Sequence, residues 1–174
     1  MTGVTCERLW TRTGSSIKIV TMRTHALIRH QPSSDLTAIF AAGGIICGQG
    51  DREGKIAVVR RARYAGEVGL PKGKVKGNEK IEETAQRETF EETGMRVRLI
   101  GYAGSTHYFV HAIPKVVFYY LMEVISDSGE GPTDVEEIKS VDWLTPNAAV
   151  AAFTYREDGN LVSAVFGIPR ETQR

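Results

Sequence analysis

The sequence predicts an α/β domain, and three observations carry that prediction. Residues 38–47 and 56–60 are apolar and β-branched runs on either side of a polar turn at 48–55, the pattern of two strands. Residues 80–93 contain no Pro or Gly and are rich in Glu, Ala, Gln and Arg, which favours a helix. Beyond it, residues 96–102, 106–110 and 115–125 return to β-branched and aromatic content, so strands lie on both sides of a helix.

Taken in order, residues 1–35 read as an N-terminal extension, with Arg8, Arg12, Lys18, Arg23 and Arg29 against a single Glu7. Organelle transit segments share that basic composition, but a short extension, or an edge strand at 16–20, is the simpler expectation. The folded domain is expected over residues 36–168, with a tail at 169–174. Arg60, Arg61 and Arg63 follow the second strand and read as a solvated strand end. A glycine-rich loop at 66–74 comes next, of the kind that brings backbone groups close to a phosphate or a cation. Asn78 stands where a helix cap belongs, and Gly94 can turn left-handed to stop the helix. Residues 126–133 form a polar loop and 138–144 a last strand. Two helices at 146–153 and 158–166 follow, the first with Pro146 in its opening turn.

Composition narrows the function classes. The 174 residues fit one domain, 41% hydrophobic and 25% charged, with 22 basic against 21 acidic residues. A net charge of +1 gives no case for a general nucleic-acid or membrane partner, so any polyanion site is local. Cys6 and Cys47 lack metal-site or redox-pair spacing, and so few thiols suit a reducing compartment, which makes a cytoplasmic location the expectation. No apolar run reaches spanning length. A monomer or homodimer is expected.

The chemistry concentrates on the helix. At about 100° per residue, Glu88, Glu91 and Glu92 fall on one face together with Ile81, Thr84 and Ala85. Crowding like charges at i+3 and i+4 costs about 0.2 to 0.5 kcal/mol per pair in an isolated helix. Oxygen clusters of this kind suit a hard divalent cation such as Mg²⁺, with Mn²⁺ as the substitute. Arg87 is spaced to reach Glu91 at i+4. A solvated charged helix is the ordinary alternative.

The full spacing decides against that alternative. Gly73, Glu79, Arg87, Glu88, Glu91, Glu92, Gly94 and Met95, eight positions over 23 residues, resemble the Nudix box, the loop-and-helix signature of hydrolases that cleave a nucleoside diphosphate linked to another group. Thr89 departs from the family's usual aliphatic residue, and Val68 stands where many relatives have a Trp. The order of elements is similar to the Nudix α/β/α sandwich, a mixed sheet between helices.

A narrower resemblance is to the asymmetric diadenosine tetraphosphate hydrolases. It rests on Pro71-Lys72-Gly73, on residues 107–124, and on Glu137 six residues before Trp143. The family's His beside that Glu is Ile138 here. The resemblance implies that Glu137 lies over the metals and that Lys115, Tyr108 and Tyr119 bind substrate. For each tyrosine core packing competes with that role. Lys72 and Lys74, flanking Gly73, are stronger candidates for phosphate, and His107 and His111 form no metal pattern.

What the resemblance implies is a Mg²⁺-dependent pyrophosphohydrolase that directs water onto phosphorus in a nucleoside polyphosphate such as diadenosine tetraphosphate. Gly73, Glu88, Glu91, Glu92 and Glu137 would then make up the metal site. Glu91 is the candidate proton acceptor, oriented by Arg87, with Glu88 and Glu137 still open for that role. The alternatives are a housecleaning hydrolase for oxidised nucleoside triphosphates, a diphosphoinositol polyphosphate hydrolase, or a non-catalytic nucleotide sensor.

Overall fold

The structure, a computed structural model, describes residues 38–62 and 66–169. The expectations for residues 1–35, including the edge strand at 16–20 and Cys6, and that for Arg63, lie outside the described residues. Among the described residues the order is β1 (Ile39–Cys47), β2 (Ile56–Arg61), β3 (Val68–Gly69), β4 (Lys72–Lys74), α1 (Ile81–Thr93), β5 (Met95–Val110), β6 (Ile113–Asp127), β7 (Ile138–Leu144), α2 (Pro146–Ala152) and α3 (Arg156–Phe166).

These strands make one sheet in the order β3-β2-β1-β6-β5, with β4 also pairing β1 and β7 also pairing β2. The β1–β6 pair is parallel and the other pairs antiparallel, so the sheet is mixed. Its two faces are both covered. Side chains alternate along β1, so Ala42 and Ile46 join Ala57 and Met122 under Ala85 of α1. Ala41 and Ile45 join Val58, Val117 and Leu121 under Ala149 of α2 and Leu161 and Val162 of α3. Burial on both faces is why β1 reads as a continuous apolar run rather than an alternating one. Each large aliphatic side chain so buried contributes about 1.5 to 3 kcal/mol relative to exposure.

Three local expectations change. The cap of α1 is Lys80, in extended conformation, rather than Asn78. A lysine has no acceptor, so Glu83 performs the reverse half of the capping arrangement and accepts the Lys80 N–H at 3.1 Å. The glycine-rich loop is in part strand, because Lys72, Gly73 and Lys74 pair with Gly43, Ala42 and Ala41. The two strands expected at 96–102 and 106–110 are one strand, β5, whose ladder with β6 runs on through Gly104 and Ser105, opposite Tyr119 and Phe118, after a register shift between Tyr102 and Gly104.

Gly94 ends α1 as expected, at φ 74°, with its N–H donating to the Phe90 carbonyl at 2.8 Å. The turn also anchors the loop before β7. The N–H groups of Thr133 and Asp134 donate to the Glu91 carbonyl at 2.9 and 3.3 Å. Thr89 is fully buried, and its hydroxyl donates to the Met122 sulfur at 3.4 Å, so the departure from an aliphatic residue is absorbed by packing.

Candidate active site

The site forms where α1 meets β4. Glu88 and Glu92 are turned inward, 7% and 4% exposed, while Glu91 stands half-exposed beside them. Gly73 is what lets α1 approach so closely. A Cβ at that position would fall 2.0 Å from the Glu88 carboxyl carbon, so the carboxylate lies directly on the β4 backbone. Burial raises the Glu88 pKa, and Arg87 only partly offsets it. Burial likewise raises Glu92 to about 6, against the pull of Arg61 and of the Lys72 N–H, which donates to Glu92 at 3.0 Å.

Arg87 does more than the i+4 contact anticipated from sequence. Its Nε and Nη2 grip both oxygens of Glu79, at 2.6 and 2.8 Å. Its Nη1 donates to Glu88 at 2.5 Å and to Glu91 at 2.9 Å, and Nη2 also reaches the Lys74 carbonyl at 3.1 Å. One guanidinium thus fixes the rotamers of three carboxylates and ties them to β4, using the fork geometry a lysine lacks. The same grip, aided by the Thr84 hydroxyl, holds Glu79 down to about 2. Lys76 adds a looser contact to Glu91, 3.6 Å away.

Arg61 is the residue that sequence reading missed. Expected at a solvated strand end, it is 4% exposed and points into the site. Nη1 donates to Glu92 at 2.8 Å and also to Glu137, and Nη2 reaches Glu92 at 3.3 Å. Burial works against its charge, but Glu92 and then Glu137 outweigh that and raise its pKa. Strand alternation carried the signal. Arg60 pairs with Asp142 at 2.5 Å, and its neighbour on β2 must face the other way.

The predicted substrate residues divide. Lys115 and Tyr108 come together, with Nζ 5.6 Å from the ring centroid. Burial first, then the nearby Lys72 and Lys74, lower Lys115 to about 8, and burial raises Tyr108 to about 12. Lys72 is half-buried, and Lys74 is exposed at the end of β4. Tyr119 does not belong with them. It is fully buried, and its hydroxyl donates to buried Asp158 at 3.1 Å, so it holds the core together and offers no surface to a ligand. Asp158, unremarked in the sequence, also accepts the Leu70 N–H at 3.4 Å and so supports the segment leading into β4. Val68 is buried, its N–H donating to the Thr154 hydroxyl at 2.9 Å, and offers no ring for stacking.

Among the described residues no three acidic, His or Cys side chains already surround a common point, and the carboxylates are paired with Arg61 and Arg87. The donor set still suits a hard divalent cation. Glu88 rests in a cradle that a Cβ would fill, next to the peptide of Gly73, and Glu92 lies one turn further along the same face.

The NUDIX domain family matches residues 39–165 of the sequence. The chain belongs to the Nudix family. A putative mutator protein, MutT4, from Mycobacterium tuberculosis is 28% identical over 130 residues, 70% of this chain and 52% of that protein. The chain thus spans about half the length of that curated relative. Among solved structures, a Caenorhabditis elegans Ap4A hydrolase has a TM-score of 0.64 at 22% identity, covering 75% of this chain and 96% of that one. A MutT protein from Methanosarcina mazei Go1 also has a TM-score of 0.64, at 19% identity, covering 76% and 96%. At these identities the likeness is one of fold, and it agrees with the mixed sheet between helices that defines this Nudix domain. None of the described helices is long and apolar enough to cross a membrane.

Proposed function

We propose that the protein is a Mg²⁺-dependent Nudix pyrophosphohydrolase whose substrate is a nucleoside polyphosphate, with a dinucleoside polyphosphate such as diadenosine tetraphosphate the first candidate. The observation that carries this reading is the packing of the Glu88 carboxylate onto Gly73, with Glu92 one turn along and Arg87 locking the ledge. Glu88, Glu92 and the Gly73 carbonyl would hold the cation, with Glu91 and Glu137 at its margin. When bound, Mg²⁺ neutralises phosphate charge and polarises the phosphorus under attack.

The remaining work falls to the chain. Lys72, Lys74 and Lys115 neutralise the outer phosphate oxygens, which favours the charge that develops as the anhydride P–O bond breaks. Glu91 accepts the proton of the attacking water. Arg87 keeps it aimed through the 2.9 Å contact. Water oxygen becomes bonded to phosphorus, the bridging oxygen leaves with the departing phosphate, and Glu91 returns its proton to solvent. No residue needs to form a covalent intermediate.

A second reading, removal of oxidised nucleoside triphosphates, is favoured by the similarity to the putative mutator protein. A hydrolysis panel with mass analysis of the products separates the two. Release of ATP from diadenosine tetraphosphate supports the first reading, and release of pyrophosphate from oxidised triphosphates supports the second. Nucleotide binding with no Mg²⁺-dependent phosphate release overturns both.

A further inference from the structure

Among the described residues Arg61 is the only buried cation, and it stands where no ligand role accounts for it. Its Nη1 is shared between two carboxylates of the site, the buried Glu92 and the more exposed Glu137. We propose that Arg61 is a displaceable counter-ion: it occupies the gap between Glu92 and Glu137, so that a divalent ion can bridge those two carboxylates only after the guanidinium lets one of them go. The inference rests on the reading that the site binds a divalent cation, and it adds a residue that sets how readily the cation enters.

The two ends of the bridge are unequal. The Glu92 side chain is 5% exposed and cannot remain charged without a cation beside it, whether a guanidinium or a metal ion. The Glu137 side chain is 42% exposed and can exchange its partner for water. Glu92 is also held by the Lys72 N–H at 3.0 Å, while among the described residues no backbone N–H holds the Glu137 carboxylate. Glu137 is therefore the end that is released.

Its backbone need not move. The Glu137 carbonyl accepts the Ala62 N–H at 2.7 Å, and its N–H donates to Asp134 at 3.0 Å, so release is a side-chain rotation on a fixed loop. Arginine stays protonated throughout, which leaves displacement as the way for a second cation to take its place. Two cations competing for one carboxylate pair repel each other most strongly where solvent screens them least.

The test uses the full chain and Mn²⁺ alone, titrated by calorimetry with free Mn²⁺ followed by electron paramagnetic resonance. Thermal unfolding with chelator and with Mn²⁺ gives a second readout. Arg61→Gln is expected to bind Mn²⁺ roughly tenfold more tightly, within the usual range of coupling between sites. It should also unfold at lower temperature in chelator, yet gain more from Mn²⁺ than the parent does. Arg61→Lys, a point charge that serves one carboxylate at a time, should fall between the two, and it carries the test if Arg61→Gln does not fold. Unchanged or weaker Mn²⁺ affinity in both variants overturns the counter-ion role and leaves Arg61 a structural ion pair. If the parent itself binds no Mn²⁺, the cation reading of the site falls as well.

Discussion

The Tyr119 hydroxyl donates to Asp158 across 3.1 Å, fastening the middle of β6 to the first turn of α3 in the core. Because Asp158 also holds the Leu70 N–H, the segment entering β4 depends on the same carboxylate. Tyr119→Phe leaves one buried oxygen of Asp158 without its donor and is expected to cost about 1 to 3 kcal/mol in urea unfolding. KM should stay within twofold of the parent. A tenfold rise in KM with stability unchanged would return Tyr119 to the substrate site.

Glu91→Gln keeps the shape of the side chain and removes its basicity. Turnover should drop about 10² to 10⁴-fold with folding intact, as loss of a general base does. A loss below tenfold at saturating Mg²⁺ removes Glu91 from that role. Chelation should abolish the parent's activity, and added Mg²⁺ should restore it.

Glu79 is held at about 2, below its ordinary 4.5, chiefly by the Arg87 guanidinium. A depressed carboxyl stabilises the fold fully above its unfolded pKa and loses that contribution as pH falls toward the folded value. Arg87→Met removes the partner. Its acid unfolding midpoint should therefore lie at higher pH than the parent's, which circular dichroism along a pH series would measure. Identical midpoints would mean that the contact contributes nothing to stability.

Lys115, lowered to about 8 by burial and by neighbouring lysines, should bind polyphosphate mainly in its charged form below that pH. KM is expected to rise between pH 7 and 9 in the parent and to vary less in Lys115→Met. Stability runs the other way. Between about 8 and the ordinary 10.5 the unfolded chain holds the extra proton, so this lysine's contribution to folding improves as pH rises. A parent KM flat across that range would exclude Lys115 from phosphate binding.

Much of this was legible in the sequence, and the exceptions have physical reasons. Local composition located α1, and its left-handed stop at Gly94 followed from the one residue type that tolerates it cheaply. The acidic face was legible too, because helical spacing alone puts Glu88, Glu91 and Glu92 together. Arg61 was obscured because arginine ordinarily signals solvent, and its partner Glu92 lies 31 residues away on another element. Asp158 was obscured for a related reason: it sits in the first turn of α3, where an acidic residue is already explained by the helix dipole. Between the two strands expected at 96–102 and 106–110 the ladder continues through Gly104 and Ser105 after one irregular step at Tyr102, which composition does not distinguish from a loop.

Those interruptions also bear on how copies of the protein meet. β5 is the outermost strand of its sheet and exposes Ile100, Tyr102 and Phe109. Its pairing slips three times, between Arg96 and Val97, Leu99 and Gly101, and Tyr102 and Gly104. All three slips fall between Arg96 and Gly104, so the half of the rim that carries Ile100 and Tyr102 gives a neighbouring molecule no unbroken run of amides to zip against, while the half that carries Phe109 keeps one register.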